Sequence, residues 1–284
     1  MTAPDWFTEA LAREGAPRTT DVDGKTIAYR VWGEGGGGSV VLLHGGAAHS
    51  HWWDHIAPLL AVGREVFAFD LSGHGDSDHR DSYDIDTWAT EALSVALLAK
   101  SSAPILVGHS LGGVVALRAA MTHGADLGGV IIVDSPIFSF TPEEDAAADR
   151  MAFGPPRRYP SRDAVLARFR PIPDQPILDY VKDHVAATSI LERPDGWTWK
   201  FDSRIFDHAP QLPELAALAC RSAFVYGALG MVSAEMAAAI FEGLSRKTAM
   251  VEVPDAGHHI MLDQPLALVT GLRAILASWD LSAA

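Results

Sequence analysis

The chain has 284 residues and a formal net charge of −14, from 36 Asp and Glu against 22 Lys and Arg. Its 48% hydrophobic and 20% charged content is that of an ordinary globular protein, not a disordered one. The acidic balance argues against nucleic acid or an anionic membrane as partner, because both need clustered Lys and Arg, and it favours a small neutral or apolar ligand. A single cysteine, Cys220, excludes an internal disulfide and a cysteine-based metal site. The amino terminus, Met1-Thr2-Ala3-Pro4-Asp5-Trp6, has neither a basic n-region nor an apolar h-region. No apolar run approaches the roughly 20 residues that span a bilayer. A soluble, cytoplasmic protein of unknown oligomeric state is therefore expected.

In chain order, segments 19–21 and 25–32 read as two strands around an Asp23-Gly24 turn. Gly35-Gly36-Gly37-Gly38 lacks the strand-to-helix context and the lysine of a phosphate loop, so it reads as a flexible connection. A compact apolar run at 39–43 is a strand that exits into His44-Gly45-Gly46. A helix over 52–61, a strand at 65–69 and the polar loop Asp70-Leu71-Ser72-Gly73-His74-Gly75-Asp76-Ser77 follow, then a long helix over 83–100. Strand 104–108, helix 111–123 and strand 129–133 continue the alternation. That rhythm implies a mostly parallel sheet covered on both faces.

After Asp134 the rhythm breaks. Residues 135–212 hold many prolines and no clear strand, which predicts a helical lid inserted into a core made of residues 1–134 and 213–284. The alternation resumes with strand 222–226, helix 233–243, strand 249–253 and helix 265–279.

Gly108-His109-Ser110-Leu111-Gly112-Gly113 lies between a strand and a helix, the context that a G-x-S-x-G elbow requires. Flanking glycines remove the Cβ atoms that would clash at so tight a turn, and the serine hydroxyl is held out at the sheet edge. The following helix aims unpaired N–H groups and its positive dipole end at developing negative charge. One oxyanion donor would be Leu111, and the other Gly46, with Ala47 the alternative if that loop runs one residue longer. His44 reads as a structural histidine bonded to nearby backbone. His258, in Pro254-Asp255-Ala256-Gly257-His258-His259, follows the last strand and so reaches the same sheet edge as Ser110. An imidazole takes and returns a proton near neutrality, and His258 is favoured over His259 because it directly follows Gly257.

These segments together resemble the α/β-hydrolase superfamily, and within it the serine esterase and lactonase-like enzymes, across essentially the whole length. The resemblance implies an eight-stranded sheet with helices on both faces and a helical lid. It implies a serine hydrolase that cleaves a carboxylic ester or lactone through an acyl-enzyme at Ser110, with no cofactor and no metal. Epoxide hydrolases and haloalkane dehalogenases of this fold use an aspartate nucleophile, whereas Ser110 stands here. The sequence departs from the pattern at the acid. Many relatives place it after the strand corresponding to 222–226, but here that loop reads Gly227-Ala228-Leu229-Gly230-Met231-Val232-Ser233. Asp134, at the tip of the strand beside the one leading to Ser110, is the leading candidate, with Glu235 an alternative. The alternative role for Asp134 is to cap its own Asp134-Ser135-Pro136 turn.

Asp76 reads as a backbone-bonding residue. His109, Trp52 and Trp199 are candidates to border the substrate pocket. Phe169, Trp197, Phe201, Phe206, Met151 and Phe153 either line the pocket or pack the lid. His49, His51, His55 and Asp54 gather near Trp52-Trp53, but histidines at i and i+2 do not share a helix face, which argues against a metal. Two competing readings remain. One is a ligand-binding or signalling protein with slow turnover, kept open by the missing carboxylate at Gly230. The other is a C–C hydrolase or perhydrolase with the same three residues.

Overall fold

A computed structural model describes residues 2–35, 37–101, 103–137, 157–207 and 215–281. Gly36, Met151 and Phe153 fall outside them, as do parts of the 135–212 segment.

Eight strands form one sheet in the order β1-β2-β4-β3-β5-β6-β9-β10. They are β1 (Ala16–Val22), β2 (Lys25–Trp32), β3 (Val40–Leu43), β4 (Val66–Phe69), β5 (Ile105–His109), β6 (Gly129–Val133), β9 (Arg221–Gly227) and β10 (Ala249–Val253). β2 runs antiparallel to both β1 and β4, and every other pairing is parallel. Every residue of β3, β4, β5 and β6 is buried, the result of covering a parallel sheet on both faces.

The covering helices divide the core in two. Helices Ile85–Ala96, Leu111–His123 and Ala234–Gly243 pack one face, through residues such as Trp88, Leu117 and Ile240. Asp5–Leu11, Ala57–Leu60 and Pro265–Leu281 pack the other, through Phe7, Leu60 and Leu272. Helix Ile85–Ala96 starts where Asp84 accepts the Thr87 N–H at 2.8 Å. The helix expected over 52–61 is broken into a 3-10 turn, Ser50–Trp53, and the short Ala57–Leu60, which carries Pro58 in its first turn. The short amino-terminal helix Asp5–Leu11 was not legible, because a stretch of seven residues carries too little periodicity.

Residues 157–207 stand apart from the large sheet. They hold helices Arg162–Leu166 and Asp179–Thr188 and also a hairpin of β7 (Ile190–Arg193) and β8 (Gly196–Trp199). That hairpin corrects the reading of the insertion as strandless. Its turn depends on Gly196 at φ +124°, and its strands are too short to show clear alternation. Among the described residues no helix is long and apolar enough to cross a membrane.

Candidate active site

Strands β3, β5, β6 and β9 end at one edge, and their exits carry the candidate groups. Ser110 directly follows β5 at φ 53° and ψ −121°, a conformation that an L-residue holds only when its surroundings impose it. Here the surroundings are glycines. A Cβ on Gly108 would lie 2.1 Å from the Gly112 carbonyl oxygen, and one on Gly112 would lie 2.4 Å from that of His44. Ala47 and Asp134 also hold positive φ, at 56° and 41°. Strained non-glycine backbone thus gathers around this edge.

Ser110 Oγ lies 3.1 Å from His258 Nε2, and His258 Nδ1 donates to Asp134 Oδ2 at 2.7 Å. The structure therefore brings Ser110, His258 and Asp134 into one chain of hydrogen bonds. Asp134 also accepts from the N–H groups of Gly227 and Met231, both at 3.0 Å, so three donors surround a fully buried carboxylate. Glu235 lies in the first turn of Ala234–Gly243, exposed and away from this network. Gly230 has its own explanation: a Cβ there would fall 2.3 Å from Asp134 Oδ1. The residue missing its carboxylate is the one that makes room for Asp134.

Leu111 is the first residue of its helix, where a backbone N–H has no preceding turn to bond. Gly46 faces it across the site, since a Cβ on Gly46 would approach Leu111 Cδ2 at 4.0 Å. His44 is buried and shapes this loop. Its Nε2 accepts the Leu71 N–H at 3.1 Å, so its Nδ1 carries the proton and donates to the Gly45 carbonyl at 2.8 Å.

His109, a candidate to border the pocket, is buried, with its ring 4.7 Å from that of His258. Its Nε2 donates to the His258 carbonyl at 3.0 Å. Trp52 and Trp199 join a single aromatic path. Trp52 stands 5.5 Å from His259 and 6.3 Å from Phe169, which in turn stands 6.1 Å from Trp199. Phe206 lies against the His44-Gly45-Gly46 loop, 3.3 Å from where a Gly46 Cβ would be. Asp76, expected to bond backbone, instead pairs with Lys200 at 2.7 Å.

Sequence reasoning missed Gln175 and Asp263. Asp263 Oδ2 accepts the Gly257 N–H at 2.6 Å and Gln175 Nε2 at 2.9 Å, while Gln175 Oε1 accepts the His259 N–H at 2.8 Å. The N–H groups on either side of His258 are thus gripped by two side chains that also bond each other. No local pattern announces a contact made by residues of the insertion and of the helix after the base.

Burial sets the charge states nearby. It holds His44 below the usual imidazole range, His49, His74 and His109 well below it, His55 at about 4 and His259 at about 3. The unfolded chain binds these protons as pH falls through about 6.5, and the folded chain refuses them. Each such histidine therefore destabilises the fold progressively as pH falls below about 6.5. Asp263 acts in the opposite sense, because burial raises it to about 6 and its ionisation penalises the fold above that pH. Burial raises the Glu91 carboxyl as well, so two carboxylates stand against six histidines. The melting temperature is expected to stay level from pH 8 to 7 and to fall steeply below about 6.5. A scan that is flat down to pH 5 would refute this.

A profile described as the alpha/beta hydrolase family matches residues 40–271, and the chain belongs to that family. It is 26% identical over 269 residues to the esterase Rv0045c of Mycobacterium tuberculosis, a match covering 92% of this chain and 89% of that one. Over 85 residues it is 40% identical to a pimeloyl-[acyl-carrier protein] methyl ester esterase of Neisseria meningitidis, covering 30% of this chain and 31% of that protein. The fold resembles that of E-2-(acetamidomethylene)succinate hydrolase with a TM-score of 0.76 and 22% identity, over 91% of this chain and 97% of that one.

Proposed function

We propose that the chain is a serine hydrolase that cleaves a carboxylic ester or lactone through an acyl-enzyme at Ser110. The observation that carries this reading is the unbroken chain from Ser110 Oγ through His258 to Asp134, at 3.1 and 2.7 Å, beginning on a strained positive-φ residue.

In this mechanism His258 Nε2 takes the Ser110 proton as Oγ attacks the carbonyl carbon. Asp134 holds the Nδ1–H and stabilises the imidazolium. The N–H groups of Leu111 and Gly46, or Ala47 in place of Gly46, receive the oxyanion. His258 then gives its proton to the departing alkoxide, takes one from the water that attacks the acyl carbon, and returns it to Ser110 Oγ as the acid leaves. The aromatic path from Trp52 through Phe169 to Trp199 favours apolar acyl or alkyl groups, and the charge of −14 favours a neutral substrate. The esterase name of the mycobacterial relative supports an ester over an amide. The ligand-binding alternative rested on the missing carboxylate at Gly230, and the Asp134–His258 bond supports the hydrolase reading over it.

Intact mass after exposure to a fluorophosphonate is expected to show one adduct, and labelled protein is expected to lose turnover of p-nitrophenyl esters. Folded protein that takes no label and turns over no ester would overturn the proposal and favour the binding protein. Carbon–carbon cleavage or peracid formation would appear in the products.

A further inference from the structure

Away from Ser110, one buried carboxylate holds two imidazoles. Asp54 Oδ2 accepts from His51 Nδ1 at 2.7 Å and from His184 Nε2 at 3.0 Å. His51 lies in the 3-10 turn that follows the oxyanion loop, and Asp54 closes that turn. His184 arrives from helix Asp179–Thr188 of the insertion, 130 residues further on. The ligand-type atoms of the three all lie within 4.8 Å of one another. The Asp54 side chain is 9% exposed and each imidazole 20% exposed, so the carboxylate is fixed while a small ion has a way in.

We propose that His51 Nδ1, His184 Nε2 and the Asp54 carboxylate form a binding site for a divalent transition metal such as Zn²⁺, bridging the core and the insertion. Two imidazoles and one carboxylate are the donors such ions select, whereas Mg²⁺ and Ca²⁺ prefer oxygen alone. The metal takes the place of the two protons now shared with Asp54. Each imidazole stays neutral and moves its proton to its other nitrogen, so none is released. His184 is partly open to solvent and can carry the proton on Nδ1. For His51 the proton must go to Nε2, which now faces Arg30 Nη1 at 3.4 Å.

Arg30 is therefore the built-in competitor of the metal. It adds a positive charge 3.4 Å from Asp54 Oδ1 and presents a donor where a new donor must appear. Its side chain borders a cavity of about 390 Å³, also lined by His51, into which it can withdraw. The other imidazole cluster, His109, His258 and His259, is less free to ligate. Both His258 nitrogens are engaged by Asp134 and Ser110, and His109 Nε2 is given to the His258 carbonyl.

Calorimetric titration of the full chain with ZnCl₂ in a non-chelating buffer tests the site, with melting temperature as a second readout. One ion per chain and a raised melting temperature are expected, since an ion bound only by the folded state stabilises it. His184→Ala and Asp54→Asn are expected to weaken binding at least about tenfold. Arg30→Gln is expected to tighten it, because it removes the charge and offers His51 Nε2–H a carbonyl acceptor. Circular dichroism confirms that each variant is folded. No saturable binding by the wild type would overturn the proposal. So would Zn²⁺ affinity unchanged in folded His184→Ala, and so would binding lost only in His259→Gln, which assigns the ion to the other cluster.

Discussion

Ser110→Ala is expected to lower ester turnover by about 10⁴- to 10⁶-fold while leaving the fold intact. Among the described residues the hydroxyl makes one side-chain hydrogen bond, 3.1 Å to His258 Nε2, and alanine keeps the backbone at Ser110 as it is. No core volume is lost, so the change in stability should fall within the small range of a substitution that breaks no packing. The residual rate has a floor, because the N–H groups at Leu111 and Gly46 still meet an oxyanion formed by direct attack of water. His258→Ala should cost about as much, and the double variant little more, because the two residues act as one unit. Circular dichroism and the melting temperature of the variant separate a chemical loss from misfolding. Ser110→Ala retaining a tenth or more of the wild-type rate in folded protein would place the nucleophile elsewhere.

The parts of this site that were legible share one property: each is encoded within a few residues of itself. The elbow at Ser110 is visible because tight strand-to-helix turns need glycine at Gly108 and Gly112, where any Cβ strikes backbone. The strands are visible because burial on both faces demands runs such as Val40–Leu43 and Gly129–Val133. Even His44 was readable, since its partners, Gly45 and the Leu71 backbone, belong to the loops that the motif itself defines.

What stayed hidden depends on distant meetings. The choice between Asp134 and Glu235 turned on which carboxylate the sheet order brings to His258, and β6 lies between β5 and β9 only once the sheet is formed. Gln175 gives no local sign that it will seize the His259 N–H. The i, i+2 spacing of His49 and His51 has no bearing on the cluster around Asp54, because the ligand-type neighbours of His51 are Asp54 three residues on and His184 far along the chain. Periodicity sees one element at a time, and these contacts join two.

Asp134→Asn is expected to lower turnover by about 10⁴-fold, and the hydrogen bonds show why a near-isosteric change should cost so much. Three donors point at this carboxylate: Gly227 N–H at one oxygen, and Met231 N–H with His258 Nδ1–H at the other. An amide has one acceptor to offer. If its oxygen faces His258, its NH₂ confronts the Gly227 N–H. If it flips, the NH₂ confronts the Met231 N–H and donates to His258 Nδ1, forcing the proton onto Nε2, where it blocks uptake from Ser110. Either orientation also loses the charge that stabilises the imidazolium.

Gly230 supplies the complementary test. It does not hold a positive φ, so the backbone tolerates a side chain there, and the three atoms nearest to a Cβ all belong to the Asp134 carboxyl, at 2.3 to 2.7 Å. Gly230→Asp alone should therefore inactivate by displacing Asp134. Combined with Asp134→Ala it should regain part of the rate, since a carboxylate then returns to His258 from the neighbouring strand exit. The four turnover rates form a cycle whose coupling is expected to be strongly favourable. Losses that merely add would mean that Asp134 and Gly230 do not share one position beside the base.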